Sequence, residues 1–145
     1  MKVSVFGLGY VGSVSAASFA ADGHTVVGVD VNPDKVASLN EGRSPIVEKG
    51  LDELIRDNAA NGRLRATTST KEAVDATELS LICVGTPSRR NGSLDLSYLE
   101  RVCEQIGEAD VLVFSHEREV NDKARDWTHV KVFERTMALM VGRSS

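Results

Sequence analysis

Cysteine is scarce here. Only Cys83 and Cys103 occur among 145 residues, far apart and without a Cys-x-x-Cys pair. His24, His116 and His129 are equally scattered, so no metal-ligand spacing is visible. Long apolar runs are missing as well. No stretch approaches the 18 or so apolar residues that a membrane helix needs. The opening MKVSVFGLG has too short an apolar stretch for a secretion signal, and glycine interrupts it at once. A reduced, cytoplasmic protein without membrane contact is expected. Basic excess is absent too. The net charge of -4 gives no support to nucleic-acid binding, which needs a basic face. No internal repeat or low-complexity segment stands out.

What is present suits one globular domain: 145 residues, 41% apolar and 26% charged. KVSVF (Lys2 to Phe6) alternates and is rich in β-branched residues, which predicts a strand. SVSAASFAAD predicts a small-residue helix stopping near Gly23, able to lie close to a sheet. TVVGVDV (Thr25 to Val31) predicts a second strand. Asn32-Pro33 opens the next helix as cap and first helical residue, with Val36 and Leu39 inward and Gly42 at its end. Leu51, Leu54, Ile55 and Ala59 share a helical face that stops at Asn61-Gly62. LRATT is a short strand. Ser69 to Glu72 and Ser97 to Glu100 both fit capping boxes. LSLICV (Leu79 to Val84) is a near-continuous apolar run, as expected of a buried parallel strand. Its following helix is expected to bury Leu99, Val102, Cys103 and Ile106. Further strands are expected at Ala109 to Phe114 and His129 to Phe133, with a charged, helical HEREVNDKARDW between them. The order β-α-β-α-α-β-α-β-α-β-(α)-β predicts an α/β fold. It is a doubly wound, mostly parallel sheet with helices on both faces, three layers αβα.

The chemistry gathers at FGLGYVG. Gly7, Gly9 and Gly12 have the spacing G-x-G-x-x-G. A bare match is weak, but here a strand precedes it, a helix starts within it, and a second strand closes a βαβ unit of about thirty residues. Gly7 permits the tight turn, Gly9 lets backbone approach a pyrophosphate, and Gly12 lets helix and strand pack closely. The helix N-terminus adds unpaired N–H groups and partial positive charge. Asp30 ends the second strand, where a carboxylate accepts hydrogen bonds from an adenosine ribose diol. It also repels a 2′-phosphate, so NAD is favoured over NADP. Asn32 is the better candidate to cap the next helix.

Other residues leave alternatives open. Lys35 steadies the ribose or Asp30, or is a solvated lysine. Thr86 follows the fourth strand, at the crevice end of the sheet, and either donates to a phosphate or ribose or serves a turn. Arg89 and Arg90 meet an anion or form a solvated loop. Glu48 has no carboxylate or histidine partner in view and reads as a surface acid. Cys83, inside an apolar strand, and Cys103, on an apolar helix face, read as inert buried thiols. No residue qualifies as a catalytic nucleophile or base.

Five segments in order, FGLGYVG, GVDVN, GRSPIVEKGL, GRLRATT and ICVGTPSRRNGSLDLSYLE, resemble the N-terminal domain of the UDP-glucose/GDP-mannose dehydrogenase family, most nearly its GDP-mannose branch. The resemblance covers about residues 1 to 107. It implies a Rossmann-like domain that binds NAD. It also implies a family reaction: oxidation of the C6 alcohol of GDP-mannose or UDP-glucose to a carboxylate, with two NAD. By resemblance, the loop Gly7 to Gly12 meets the pyrophosphate with backbone from Tyr10 and Val11. Asp30 and Lys35 meet the adenosine ribose, and Thr86 lies beside the nicotinamide half.

The departures matter equally. The family's nucleophilic cysteine lies in a GGSC segment that this sequence lacks. Its STV-x-PG loop, PEF segment, catalytic lysine and long dimerisation helix are missing as well. ADVLVFSHEREV and HVKVF look like closing strands of the family's C-terminal domain. The chain therefore reads as a cofactor-binding core, residues 1–107, joined by an internal deletion to a segment, 108–145, that completes the same domain. The expected function is NAD(H) binding without full catalysis. Two alternatives remain. One is an oxidoreductase assembled as a homodimer or with a partner chain that carries the missing domain. The other is a non-enzymatic regulatory or structural relic that binds a full-length dehydrogenase.

Overall fold

The computed structural model describes residues 1–90, 93, 95–107, 112–115 and 131–132. Strand β1 (Lys2–Phe6) leads into helix α1 (Tyr10–Ala21), then β2 (Thr25–Val29), α2 (Pro33–Asn40), α3 (Leu51–Ala60) and β3 (Leu64–Thr67). The chain continues through α4 (Thr70–Asp75), β4 (Leu79–Ile82), α5 (Ser97–Gly107), β5 (Leu112–Ser115) and β6 (Lys131–Val132). The strands form one parallel sheet in the order β3-β2-β1-β4-β5-β6. The α/β doubly wound architecture is thus as the pattern predicts. His116, His129 and the helix expected over HEREVNDKARDW lie outside the described residues.

Period-two alternation splits the sheet between two cores. Val3, Val5 and Val26 join Ala16, Ala17, Ala20, Leu39, Leu51 and Ile55 on the face of α1, α2 and α3. Phe6, Val27, Val29 and Ile82 join Ala73, Val74, Leu99, Cys103 and Ile106 under α4 and α5. Burying one such large side chain contributes about 1.5–3 kcal/mol. α1 comes close to the sheet because its buried positions are Gly12, Ser13, Ala16, Ala17 and Ala20, all small. Two buried serines interrupt the second core. Ser4 Oγ of β1 and Ser80 Oγ of β4 lie 2.8 Å apart, and Thr77 Oγ1 is 3.1 Å from Ser4 Oγ.

Three local expectations are corrected. Leu54 is exposed, and the buried polar residue of α3 is Asn58, whose Nδ2 donates to the Leu54 carbonyl at 2.9 Å. The buried face of α3 is therefore Leu51, Ile55 and Asn58, narrower than the leucine spacing suggests. Ser69 does cap α4, accepting the Glu72 N–H at 3.2 Å. Glu72 does not reach back, because the Ser69 N–H is already bound to Thr67 Oγ1 and the carboxylate takes Arg65 and Thr67 instead. Ser97 is the first residue of α5 rather than its cap; the Asp95 carboxylate accepts the Ser97 N–H at 3.1 Å.

Candidate functional site

β1 is flanked by β2 and β4; the chain leaves β1 for α1 on one face and leaves β4 for α5 on the other, so a crevice opens beyond their C-terminal ends. The glycine loop fills the base of that crevice. Gly7 adopts φ 94°, and its N–H donates to the Val29 carbonyl at 2.7 Å. A Cβ there would sit 2.9 Å from the Cys83 carbonyl oxygen and 3.1 Å from Val84 Cα. The loop is therefore wedged between the ends of β2 and β4. Leu8 points into the core, fully buried, against Gly28, where any Cβ would lie 2.8 Å from Leu8 Cδ2. Gly12 faces Gly7, and a Cβ would overlap the Gly7 carbonyl oxygen. Gly9 is different: nothing lies within 4 Å of where its Cβ would be. Close packing behind the loop and open space in front form a cradle that fits a pyrophosphate.

α1 begins at Tyr10 with no side-chain cap at Gly9 and no acidic residue in its first turn. Its first N–H groups have no intrahelical acceptors, and the helix dipole places partial positive charge there. The Tyr10 and Val11 side chains are exposed. Glu48, from the loop before α3, stands beside the Tyr10 phenol; their hydrogen bond and the carboxylate's charge push the phenol's pKa up. The sequence shows Glu48 without a partner because the two residues meet only through the packing of α3 on α1.

Asp30 does more than the sequence suggests. Its Oδ2 accepts the Leu8 N–H at 2.7 Å, and its Oδ1 accepts the Asn32 N–H at 2.9 Å. Lys35 Nζ stands 3.4 Å from Oδ2. Asp30 thus braces the glycine loop and the turn into α2 while staying at the crevice edge. Asn32 caps α2 as expected, taking the Asp34 N–H at 2.9 Å. Of the readings left open for Lys35, the structure shows it beside Asp30 rather than free in solvent.

On the other side of the crevice, the Cys83 N–H donates to the Phe6 carbonyl at 2.7 Å, and Val84 lies behind Gly7. Thr86 follows two residues after Val84 and is half-buried. Burial pushes the Cys83 thiol up to about 11 and, with the charges of Glu100 and Glu104, the Cys103 thiol up to about 12. Both are protonated at neutral pH. Arg89 is engaged by Asp95 at 3.1 Å, and Arg90 is exposed. Among the described residues no helix is long and apolar enough to cross a membrane.

Comparison with known proteins agrees with this geometry. The model of the UDP-glucose/GDP-mannose dehydrogenase family, NAD binding domain, matches residues 1–113. GDP-mannose 6-dehydrogenase of Pseudomonas syringae pv. tomato is 56% identical over 107 residues, covering 74% of this chain and 24% of that protein. UDP-glucose 6-dehydrogenase of Rhizobium meliloti is 48% identical over 107 residues, covering 73% and 24%. A crystal structure of a ternary complex of GDP-mannose dehydrogenase from Pseudomonas aeruginosa superposes with a TM-score of 0.83 at 39% identity, covering 91% of this chain and 35% of that one. The chain spans about a quarter of the length of the curated relatives it matches.

Proposed function

Because the chain belongs to the UDP-glucose/GDP-mannose dehydrogenase family, as its NAD binding domain, we propose that it holds NAD(H) in the crevice above β1 and by itself lacks the family's complete reaction. The observation that carries the reading is the glycine cradle, open only at Gly9 and backed by the uncapped start of α1. The pyrophosphate rests on the Gly7 to Gly12 loop and receives backbone N–H groups of Tyr10 and Val11. The adenosine ribose meets Asp30 and Lys35, and Thr86 takes the nicotinamide side. Bound there, NAD would supply a hydride acceptor. The chain's own part is to bind and orient the cofactor.

The family reaction would continue through a thiolate, and neither cysteine supplies one: both thiols are held protonated by burial. Calorimetry with NAD should give saturable one-to-one binding. An assay of NADH formation from GDP-mannose or UDP-glucose should stay at background. Turnover of either sugar by this chain alone would refute the second half of the proposal, and absence of NAD binding the first. A second arrangement is one in which a homodimer or a second polypeptide with the remaining family segments completes a site for the nucleotide sugar. Appearance of turnover only on mixing with such a polypeptide would establish it.

A further inference from the structure

The segment from Asp30 to Asn40 carries the ribose-facing side chains, and it is tied to β3 at both ends. At the start, the Asp30 N–H donates to the Thr67 carbonyl at 3.4 Å. At the finish, the Asn40 side chain makes two bonds to the preceding residue: its Nδ2 donates to the Ala66 carbonyl at 3.0 Å, and the Ala66 N–H donates to its Oδ1 at 2.7 Å. The excursion therefore leaves β3 at Thr67 and returns to it at Ala66.

β3 is the outer strand of the sheet. The Val26 N–H donates to the Arg63 carbonyl and the Asp30 N–H to the Thr67 carbonyl, so the backbone of Ala66 faces away from β2. The Asn40 amide supplies there the donor and acceptor that another strand would offer. α2 needs such an anchor. It has eight residues, only Leu39 is buried, and an isolated helix of that length is marginal in water. Asn32 holds its N-terminus, Leu39 its apolar side and Asn40 its C-terminus. Lys35, in the first turn, reaches back to Asp30 Oδ2, which also holds the Leu8 N–H of the glycine loop.

We infer that Asn40 is a positioning residue for the cofactor site: its clasp on Ala66 fixes α2, and through α2 the placement of Lys35 against Asp30. The inference rests on the reading that the adenosine ribose meets Asp30 and Lys35.

The test is a double-mutant cycle in the full chain, with NAD and AMP as probes. Asn40→Ala should weaken both by about tenfold, the worth of one to two hydrogen bonds, and should speed amide exchange at Ala66 while Val5 and Phe6 stay protected. In a Lys35→Ala background the Asn40→Ala effect on affinity should largely vanish, since both changes remove the same contact; a general loss of stability would add independently. Asn40→Gln, which keeps the amide, should recover part of the affinity and serves if Asn40→Ala does not fold. Unchanged NAD and AMP affinity with Ala66 exchange opened overturns the inference, as does full additivity with Lys35→Ala. If Lys35→Ala and Asp30→Ala themselves leave affinity intact, the ribose reading fails and this inference with it.

Discussion

Asp30 shows how much one carboxylate can do. A carboxylate has about four acceptor positions, and Leu8, Asn32 and Lys35 already draw on this one. Asp30→Ala should therefore weaken NAD in two ways, by loss of the ribose acceptor and by release of the Leu8 N–H. A charged hydrogen bond is worth about 1.5–3 kcal/mol, so calorimetry should show at least a tenfold loss. That an acid belongs at position 30 is legible from strand, glycine loop and spacing. Its grip on Leu8 is not, since nothing local pairs residues so far apart in sequence. The cysteines offer the opposite case. Their inertness follows from apolar surroundings in the sequence, and burial holds Cys83 at about 11. Cys83→Ser should leave NAD affinity unchanged. Iodoacetamide at neutral pH should alkylate neither thiol at an appreciable rate until the chain is unfolded.

At the scale of elements, the glycines divide by what stands in front of them. Gly12→Ala drives a methyl into the Gly7 carbonyl, so α1 must move off the sheet. Overpacking of that kind costs about 1–3 kcal/mol or more, and the melting temperature should fall. Gly9→Ala meets open space, so the melting temperature should hold while NAD affinity drops. A simple turn role for the loop would not separate the two variants in this way. The start of α5 makes a pH prediction. The Ser97 N–H and hydroxyl, then Arg89, hold the Asp95 carboxyl at about 2, below its ordinary range near 3.9. Its contribution to stability is present above that ordinary value and fades as pH falls toward 2. Asp95→Asn should flatten that part of an acid-denaturation curve. Helix existence was legible from apolar spacing and from Asn32, Asn61 and Gly62. Cap partners were less so, because Arg65 and Thr67 of a neighbouring strand compete for Glu72 and no local pattern records that competition.

For the whole molecule, ligand linkage gives the simplest check. A hundredfold excess of NAD over its dissociation constant should raise unfolding free energy by about 2.7 kcal/mol, visible as a higher denaturation midpoint. The doubly wound parallel class was legible because strands alternate with helices and right-handed crossovers leave few ways to arrange them; the strand order itself comes from the structure. The Asn40 clasp was not, because it needs the knowledge that β3 lies at the edge. The two cores also divide the chain in time. The face covered by α1, α2 and α3 is built around residues between Val3 and Ala66, whereas the opposite face waits for Ala73 to Ile106. A ribosome releasing this chain thus exposes every residue proposed for the adenosine half before β4 is synthesised. That half has the contacts to condense first, leaving β1 half-covered, its Ser4 hydroxyl awaiting Ser80 as a polar latch that admits the fourth strand in one register.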